Sequence, residues 1–417
     1  MTVRWALALA SSLLWSAALT AEAPGEIAHT AYIRFHENPE RGNEEVQTAA
    51  YIRAKIGQVP GVQVVPLPSV PTAVIALLDT GRPGPTIALR ADMDARKADE
   101  PASHSPRSRV AGLMHNCGHD AHSAMLLGAI AGIAGDPGKY RGKIVFLFQP
   151  AEEIKGGADD IVASGILGKL GVQAIFAQHA ASNLAVGQMS LGSGTPMAGS
   201  TTFTLKLTGK AIHAAIPYDG SDLAVVAARF VEDLAALPAR AWDIANRPAV
   251  ISVTRINTPP GEINSTPGEV TIEGTIRAFE ALDTVAPGST PIGTIIRERV
   301  AALATAYKVR ADLALKQGAP RMINDERLER ALLTGLQSAG VNVTLTRDRG
   351  MFAEDFAFYT ETIPALYFGL GIAKDGLGAA PPHTVEFTIH PASLDVGVTF
   401  LTKLAEVATA QLPASPK

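Results

Sequence analysis

The sequence has a single cysteine, Cys117, in 417 residues. No intramolecular disulfide can therefore staple the fold, and stability has to come from core burial and from any ion the chain binds. A dominant charge is also missing. With 36 Lys and Arg against 40 Asp and Glu the formal net charge is −4, and the charges are mixed along the chain, so nothing points to a nucleic-acid or polyanionic partner. There is no internal repeat and no low-complexity tract. Only one apolar run approaches the length of a membrane span: Trp5 to Leu19, which follows Arg4 and ends in Ala18-Leu19-Thr20-Ala21-Glu22-Ala23. It reads as a secretory signal peptide over residues 1–23, cleaved near Ala21 or Ala23. The competing reading, an N-terminal anchor, needs a longer apolar stretch of about 20 residues. The expectation is a periplasmic or secreted protein with no stable membrane insertion after processing.

What the sequence does have is one dense polar cluster, His115-Asn116-Cys117-Gly118-His119-Asp120-Ala121-His122, just before the apolar run Ala124 to Ile133. Cys-x-His spacing can place a thiolate and an imidazole on one ion. The following run reads as a buried helix, with the cluster at its N-terminus. There the helix dipole and free N–H groups favour the thiolate, and bound metal favours it further.

A chain this long exceeds one compact core, and two domains are expected. Thr86 to Arg90, Lys143 to Phe148, Val172 to Ala177 and Ala365 to Gly369 are short apolar runs separated by helical patterns. They predict parallel strands buried on both faces. Asp92 and Asp94 follow the first, Glu152 and Glu153 the second, His179 the third and His383 lies beyond the fourth. Open α/β sheets bind ligands at the carboxyl ends of their strands, so four runs direct polar side chains to one crevice.

The middle of the chain is different. Thr201 to Leu207, Val250 to Ile256 and Glu269 to Ile276 alternate polar and apolar residues, as half-exposed antiparallel strands do. Leu223, Val226, Phe230, Leu234 and Leu237 recur at helical spacing, Ile292 to Tyr307 is a second helix, and Val309 to Leu315 a last strand. The order βαββαβ is the ferredoxin-like unit. It predicts an insertion over 199–317 between two parts of an α/β, mainly parallel-sheet unit, 24–198 and 318–417.

Glu152 and Glu153 in Gln149-Pro150-Ala151-Glu152-Glu153 diverge if the backbone there is irregular, so that one binds metal while the other acts as general base on an activated water. Taken singly, His179 reads as a core histidine and His383 as a surface one. With Cys117, His119 and Glu153 they make five donors of thiolate, imidazole and carboxylate type, enough for two ions sharing a bridge. That set suits Mn, Zn, Co or Ni better than Ca or Mg.

Arg90-Ala91-Asp92-Met93-Asp94-Ala95, the His115–His122 cluster, Gln149–Glu153 and Ala353-Glu354-Asp355-Phe356, in this order, resemble the dinuclear metallopeptidase family of aminoacylase, hippuricase and plant auxin-conjugate hydrolases. The resemblance covers essentially the whole mature chain. It implies that Cys117, His119, Glu153, His179 and His383 hold two divalent ions, Cys117 as the bridge, with Glu152 as general base and Asp92 as the carboxylate that orients a ligand or the base. It also implies that His213 reaches across a homodimer interface to the partner's oxyanion, and that Asn264 and Arg277 of the inserted lid and dimerisation domain contact the substrate's carboxylate side. The implied activity is hydrolysis of the amide in N-acyl amino acids or similar conjugates. The alternatives are a carboxypeptidase or dipeptidase acting on short peptides at the same site, and a non-catalytic metal- or peptide-binding protein, against which Glu152 argues. The chain departs from its relatives at Arg96-Lys97, Ile212, Pro217-Tyr218 and Phe352, of which Ile212, Tyr218 and Phe352 are expected to line or shape the cleft.

Overall fold

A computed structural model describes residues 22–154, 156–284 and 289–414. Residues 1–21 of the expected signal segment lie outside the described residues. Among the described residues no helix is long and apolar enough to cross a membrane.

Among the described residues twelve strands form two sheets. In chain order they are β1 (Val62–Val65), β2 (Val74–Asp79), β3 (Thr86–Asp92), β4 (Lys143–Gln149), β5 (Ala174–Ala185), β6 (Met189–Gly192), β7 (Gly199–Thr208), β8 (Ala249–Asn257), β9 (Glu269–Ala278), β10 (Arg310–Gln317), β11 (Val343–Thr346) and β12 (Ala365–Ala373). The larger sheet has the order β1-β2-β4-β3-β5-β12-β6-β11. Its centre, β4-β3-β5-β12, is parallel throughout, and these are the four runs expected from the sequence. The flanking β1, β2 and the β6–β12 pairing are antiparallel.

All seven residues of β3 are buried, because helices cover both faces of the sheet. Its Ile87 and Leu89 point into one layer with Phe146, Phe148 and Phe176, under the helices Pro24–Glu37, His119–Gly135 and Ala392–Gln411. Ala88 points the other way, with Val145, Leu147 and Ile175, against the short helices Ala158–Ala163 and Ala357–Thr360. Carboxyl ends of β3, β4 and β5 thus emerge side by side.

The second sheet is antiparallel with the order β10-β7-β9-β8. Two helices, Leu223–Arg240 and Ile292–Tyr307, cover one face through Leu223, Phe230, Leu234, Ile292 and Ile296, packed on Phe203, Leu205 and Ile272. β9 alternates half-buried and buried residues along its length. This is the βαββαβ unit read from the alternation, and it leaves the sheet's other face free to meet the cleft.

Candidate metal centre and catalytic cleft

The cluster loop feeds the helix His119–Gly135 through Gly118, whose φ is 101°. A Cβ there would stand 2.9 Å from the Ala180 side chain, so the turn that brings Cys117 and His119 beside β5 requires glycine. His119 then begins the helix with its Nδ1 3.0 Å from the Asp94 carbonyl oxygen and 3.2 Å from its carboxylate. This fixes Nδ1–H as the donor and leaves Nε2 facing the centre, where a bound cation would hold it as the lone-pair nitrogen. His119 Nε2 is buried without a hydrogen-bond partner.

Asp94 does more than hold His119. Its two carboxylate oxygens accept from the backbone N–H of Glu152 at 3.0 Å and of Glu153 at 2.9 Å. Ala151 before them takes a left-handed conformation, φ 57°, and its N–H donates to buried Glu45 at 2.8 Å. An L-residue adopts this conformation only when its surroundings hold it there. The irregular turn sends Glu152 toward Glu354 and Asp355 and Glu153 toward His383.

Ligand atoms of Cys117, Glu153 and His383 lie within 4.8 Å of one another, as do those of His119, Glu152 and Glu153, and those of Asp92, His119, His122 and His179. Glu153 and His119 each belong to two groups, so the groups form one continuous centre. All five candidate ligands are there, together with Glu152 and Asp92. Cys117 Sγ is 3.5 Å from His179 Nε2. His122 is not available: its Nδ1 is 2.6 Å from Asp92 and its Nε2 accepts from the Ala180 N–H at 2.9 Å. His179 lies within β5 rather than at its end, because pairing with β12 carries the strand on to Ala185. The unpartnered Nε2 of His119 and the mixed thiol, imidazole and carboxylate donors fit a pair of divalent ions.

Charge is finely divided here. Burial pushes the Glu152 carboxyl up, and the neighbouring Glu354 and Asp355 charges push it further, well above the usual range. Burial acts the same way on Glu153, but the His383 hydrogen bond and the His119, His383 and Arg96 charges outweigh it and bring that carboxyl to about 2. His179 is lowered to about 4 by burial, with His122 adding to it, so it is neutral and can offer a lone pair. Without a bound cation the Cys117 thiol goes the other way from the sequence expectation: burial raises it, and the charge and hydrogen bond of His119 do not compensate. Thiolate formation at Cys117 therefore depends on a bound cation.

Beneath the centre Arg90 is fully buried. It donates to Gln149 at 2.8 Å, to Asp92 at 2.6 Å, and to Glu354 and Asp355 at 3.0 Å each. Asp92 is thereby held between Arg90 and His122. The sequence placed Asp94 at the crevice and His122 in the cluster, but it assigned no role to them or to Arg90. Asp94 carried the signal, since it repeats the position of Asp92 just past a buried strand.

The centre forms one wall of a cleft of about 1480 Å³. Thr201, Thr275, Arg277 and Gln317 of the second sheet form the opposite wall, with Ile154, Met197, Phe352 and Phe358 as its apolar lining. Arg277 is half-buried and has no ion-pair partner among the described residues; burial lowers its pKa. His213 and Asn264 are exposed, away from this cleft, and held together by the Ala214 N–H donating 2.8 Å to the Asn264 carbonyl. Of the three expected cleft-shaping residues, only Phe352 lines it, 80% exposed. Ile212 is buried within its own loop, and Tyr218 stands 86% exposed outside the cleft.

Comparison with known proteins agrees with this geometry. The sequence model of peptidase family M20/M25/M40 matches residues 88–407. IAA-amino acid hydrolase ILR1-like 4 of Arabidopsis thaliana is 34% identical, over 92% of this chain and 86% of the relative. N-acetyl-L-cysteine deacetylase of Bacillus subtilis (strain 168) is 32% identical, over 85% and 82%. A Bacillus subtilis structure described as a dinuclear metal binding peptidase from the M20 family superposes with a TM-score of 0.81 at 27% identity, covering 93% of this chain and 99% of that one.

Proposed function

The chain belongs to peptidase family M20/M25/M40 and is a metal-dependent amidohydrolase, and we propose that it cleaves the amide of N-acyl amino acids with Glu152 as general base. The observation that carries this reading is the placement of Glu152. It sits among overlapping donor groups on a cleft whose far wall offers Arg277, which has no ion-pair partner among the described residues.

When bound, a pair of divalent ions supplies Lewis acidity, polarising the scissile carbonyl and acidifying the attacking water. Cys117, His119, Glu153, His179 and His383 would hold them, and the softness of this set favours Mn, Zn, Co or Ni. Glu152 takes the proton from the water. The same carboxyl then delivers that proton to the leaving amine nitrogen. Asp92, clamped by Arg90 and His122, orients the ligand shell. Arg277 receives the substrate's α-carboxylate as an ion pair, while Ile154, Met197 and Phe352 take the acyl group. The unit over 199–317 acts as lid and dimerisation domain. In a homodimer its exposed His213 reaches the partner's cleft as an oxyanion donor, with Asn264 beside it. The N-terminal segment exports the protein to the periplasm or medium.

The test is hydrolysis of N-acyl amino acids, their amides and dipeptides, before and after chelation. N-acyl amino acids should be cleaved, activity should vanish on chelation and return with Mn, Co, Zn or Ni, and the amides that lack the carboxylate should be poor substrates. Full turnover with metal content verified as zero would refute the mechanism. Equal rates on acids and amides would refute the role of Arg277.

A further inference from the structure

One cation already stands among the candidate ligands. Arg96 Nη1 donates to Glu153 Oε2 at 2.5 Å and lies 3.0 Å and 3.1 Å from the two ring nitrogens of His383. The guanidinium therefore contacts two of the three members of the Cys117–Glu153–His383 group. It touches none of the ring nitrogens of His119 or His179.

Its approach is set by the backbone. Arg96 and Met114 exchange N–H···O=C hydrogen bonds at 3.0 Å and 2.9 Å, which fastens the residue to the segment that leads into Cys117. The side chain has room to leave. It is 34% exposed and lines the open cleft.

We propose that Arg96 is a resident counter-cation for the Cys117–Glu153–His383 half of the centre and makes the two metal positions unequal. A guanidinium and a divalent ion cannot share one carboxylate oxygen at contact distance, because like charges that close repel strongly. In the half containing His119 and His179 the nearby guanidinium, Arg90, is held on Asp92 and not on a ligand, so that half fills first. The other half fills only when Arg96 swings into the cleft, so its affinity is reduced by the free energy of the Arg96–Glu153 pair. Occupancy of the second position then follows the free metal concentration, and the enzyme loads in two separated steps.

This inference rests on the two-ion reading of the site. The experiment is equilibrium dialysis of the full chain against Co(II) or Mn(II), counting ions per chain as free metal rises, for wild type, Arg96→Leu, Arg96→Lys and, as a control for general surface charge, Lys97→Leu. Wild type should show two steps. Arg96→Leu should bring the second step at least tenfold lower in free metal and leave the first in place, whereas Arg96→Lys and Lys97→Leu should stay near wild type. Thermal unfolding gives a second readout. Arg96→Leu should lower the Tm of chelated protein, where Glu153 loses its partner, and not that of metal-saturated protein. Coincident binding curves for wild type and Arg96→Leu, each reaching two ions, would overturn the role of Arg96 alone. A maximum of one ion in every variant would overturn the two-ion reading and this inference with it.

Discussion

The two walls of the cleft are built on opposite terms. On the larger sheet the side chains that support the metal centre are clamped: Asp94 accepts from two backbone amides and faces His119, Arg90 has four acceptors, and His122 is engaged at both nitrogens. In the second unit the functional candidates are less engaged: Arg277 has no ion pair among the described residues, and His213 and Asn264 stand in exposed loops, where His213 Nδ1 accepts from the Ala215 N–H at 3.1 Å. Rigid clamping suits groups that must meet an ion or a proton within a few tenths of an ångström. Free groups suit recognition, where the partner supplies the missing contacts and pays none of the unpairing cost beforehand.

The comparison is sharpest within the Glu152–Glu153 pair, where adjacent residues on the clamped wall have separate tasks. Glu152→Gln keeps the turn and leaves the ligands in place, and should lower kcat about 100- to 10,000-fold, the usual range for loss of a general base. Metal content should remain that of wild type. Glu153→Gln should instead lose metal, since it removes the carboxylate shared by two donor groups. Metal analysis and kcat on both variants check this, and the reverse pattern would exchange the two roles.

A smaller effect tests the clamping itself, away from the ligands. His36, on the helix Pro24–Glu37, bridges Asp120 at 2.7 Å and Glu100 at 2.8 Å, tying that helix to the first turn of the motif helix. Burial opposes its charged form, but hydrogen bonds to Asp120 and Glu100 and their charges overcome this and raise it to about 10. A folded-state pKa above the ordinary value of 6.5 contributes stability that is complete below pH 6.5 and fades as pH rises toward 10. His36→Gln should therefore cost about 1.5–3 kcal/mol, the worth of hydrogen bonds to charged groups, at pH 6. The difference from wild type should shrink steadily by pH 9. Urea unfolding at several pH values measures it; a pH-independent difference would mean His36 is held there as a neutral group.

How much of this was legible in the sequence follows the same division. β3, β4, β5 and β12 announce themselves because strands buried on both faces must be apolar throughout. Edge strands β1 and β11, four residues each with one fully buried position, have too little pattern to read. β2 was missed although it is apolar, since an apolar run of six does not say whether it pairs parallel or antiparallel. At the site, the concentration of Cys117, His119 and His122 could be seen, but not which imidazole is free. That is decided by Asp92 and by the Ala180 amide, from other strands. The direction of the Cys117 shift was also hidden, because it is set by burial, which only the fold reveals. Ile212 and Tyr218, departures from the relatives, were expected at the cleft, yet the loop turns one inward and the other to solvent.

The smallest expected signal tests whether the free wall works in trans. His213 is exposed and absent from the lining of its own chain's cleft, so under the proposed role it serves the cleft of a partner. A symmetric dimer exchanges such contacts reciprocally. His213→Ala alone should cost roughly 100- to 1,000-fold, as loss of an oxyanion donor does, and Glu152→Gln is inactive for a different reason. When the two variants are mixed, the mixed dimer has one cleft with an intact Glu152 and a His213 borrowed from the other chain, and one cleft with neither. Random reassortment makes about half the dimers mixed, each with one working site of two, so activity should recover to roughly a quarter of wild type. Exchange has to be shown independently by pulling down one tagged variant and finding the other. Recovery near a quarter would make the second sheet a catalytic donor to its partner. Proven exchange with no recovery would confine His213 to its own chain or to the lid's structure, and the clamped wall would then carry the chemistry alone.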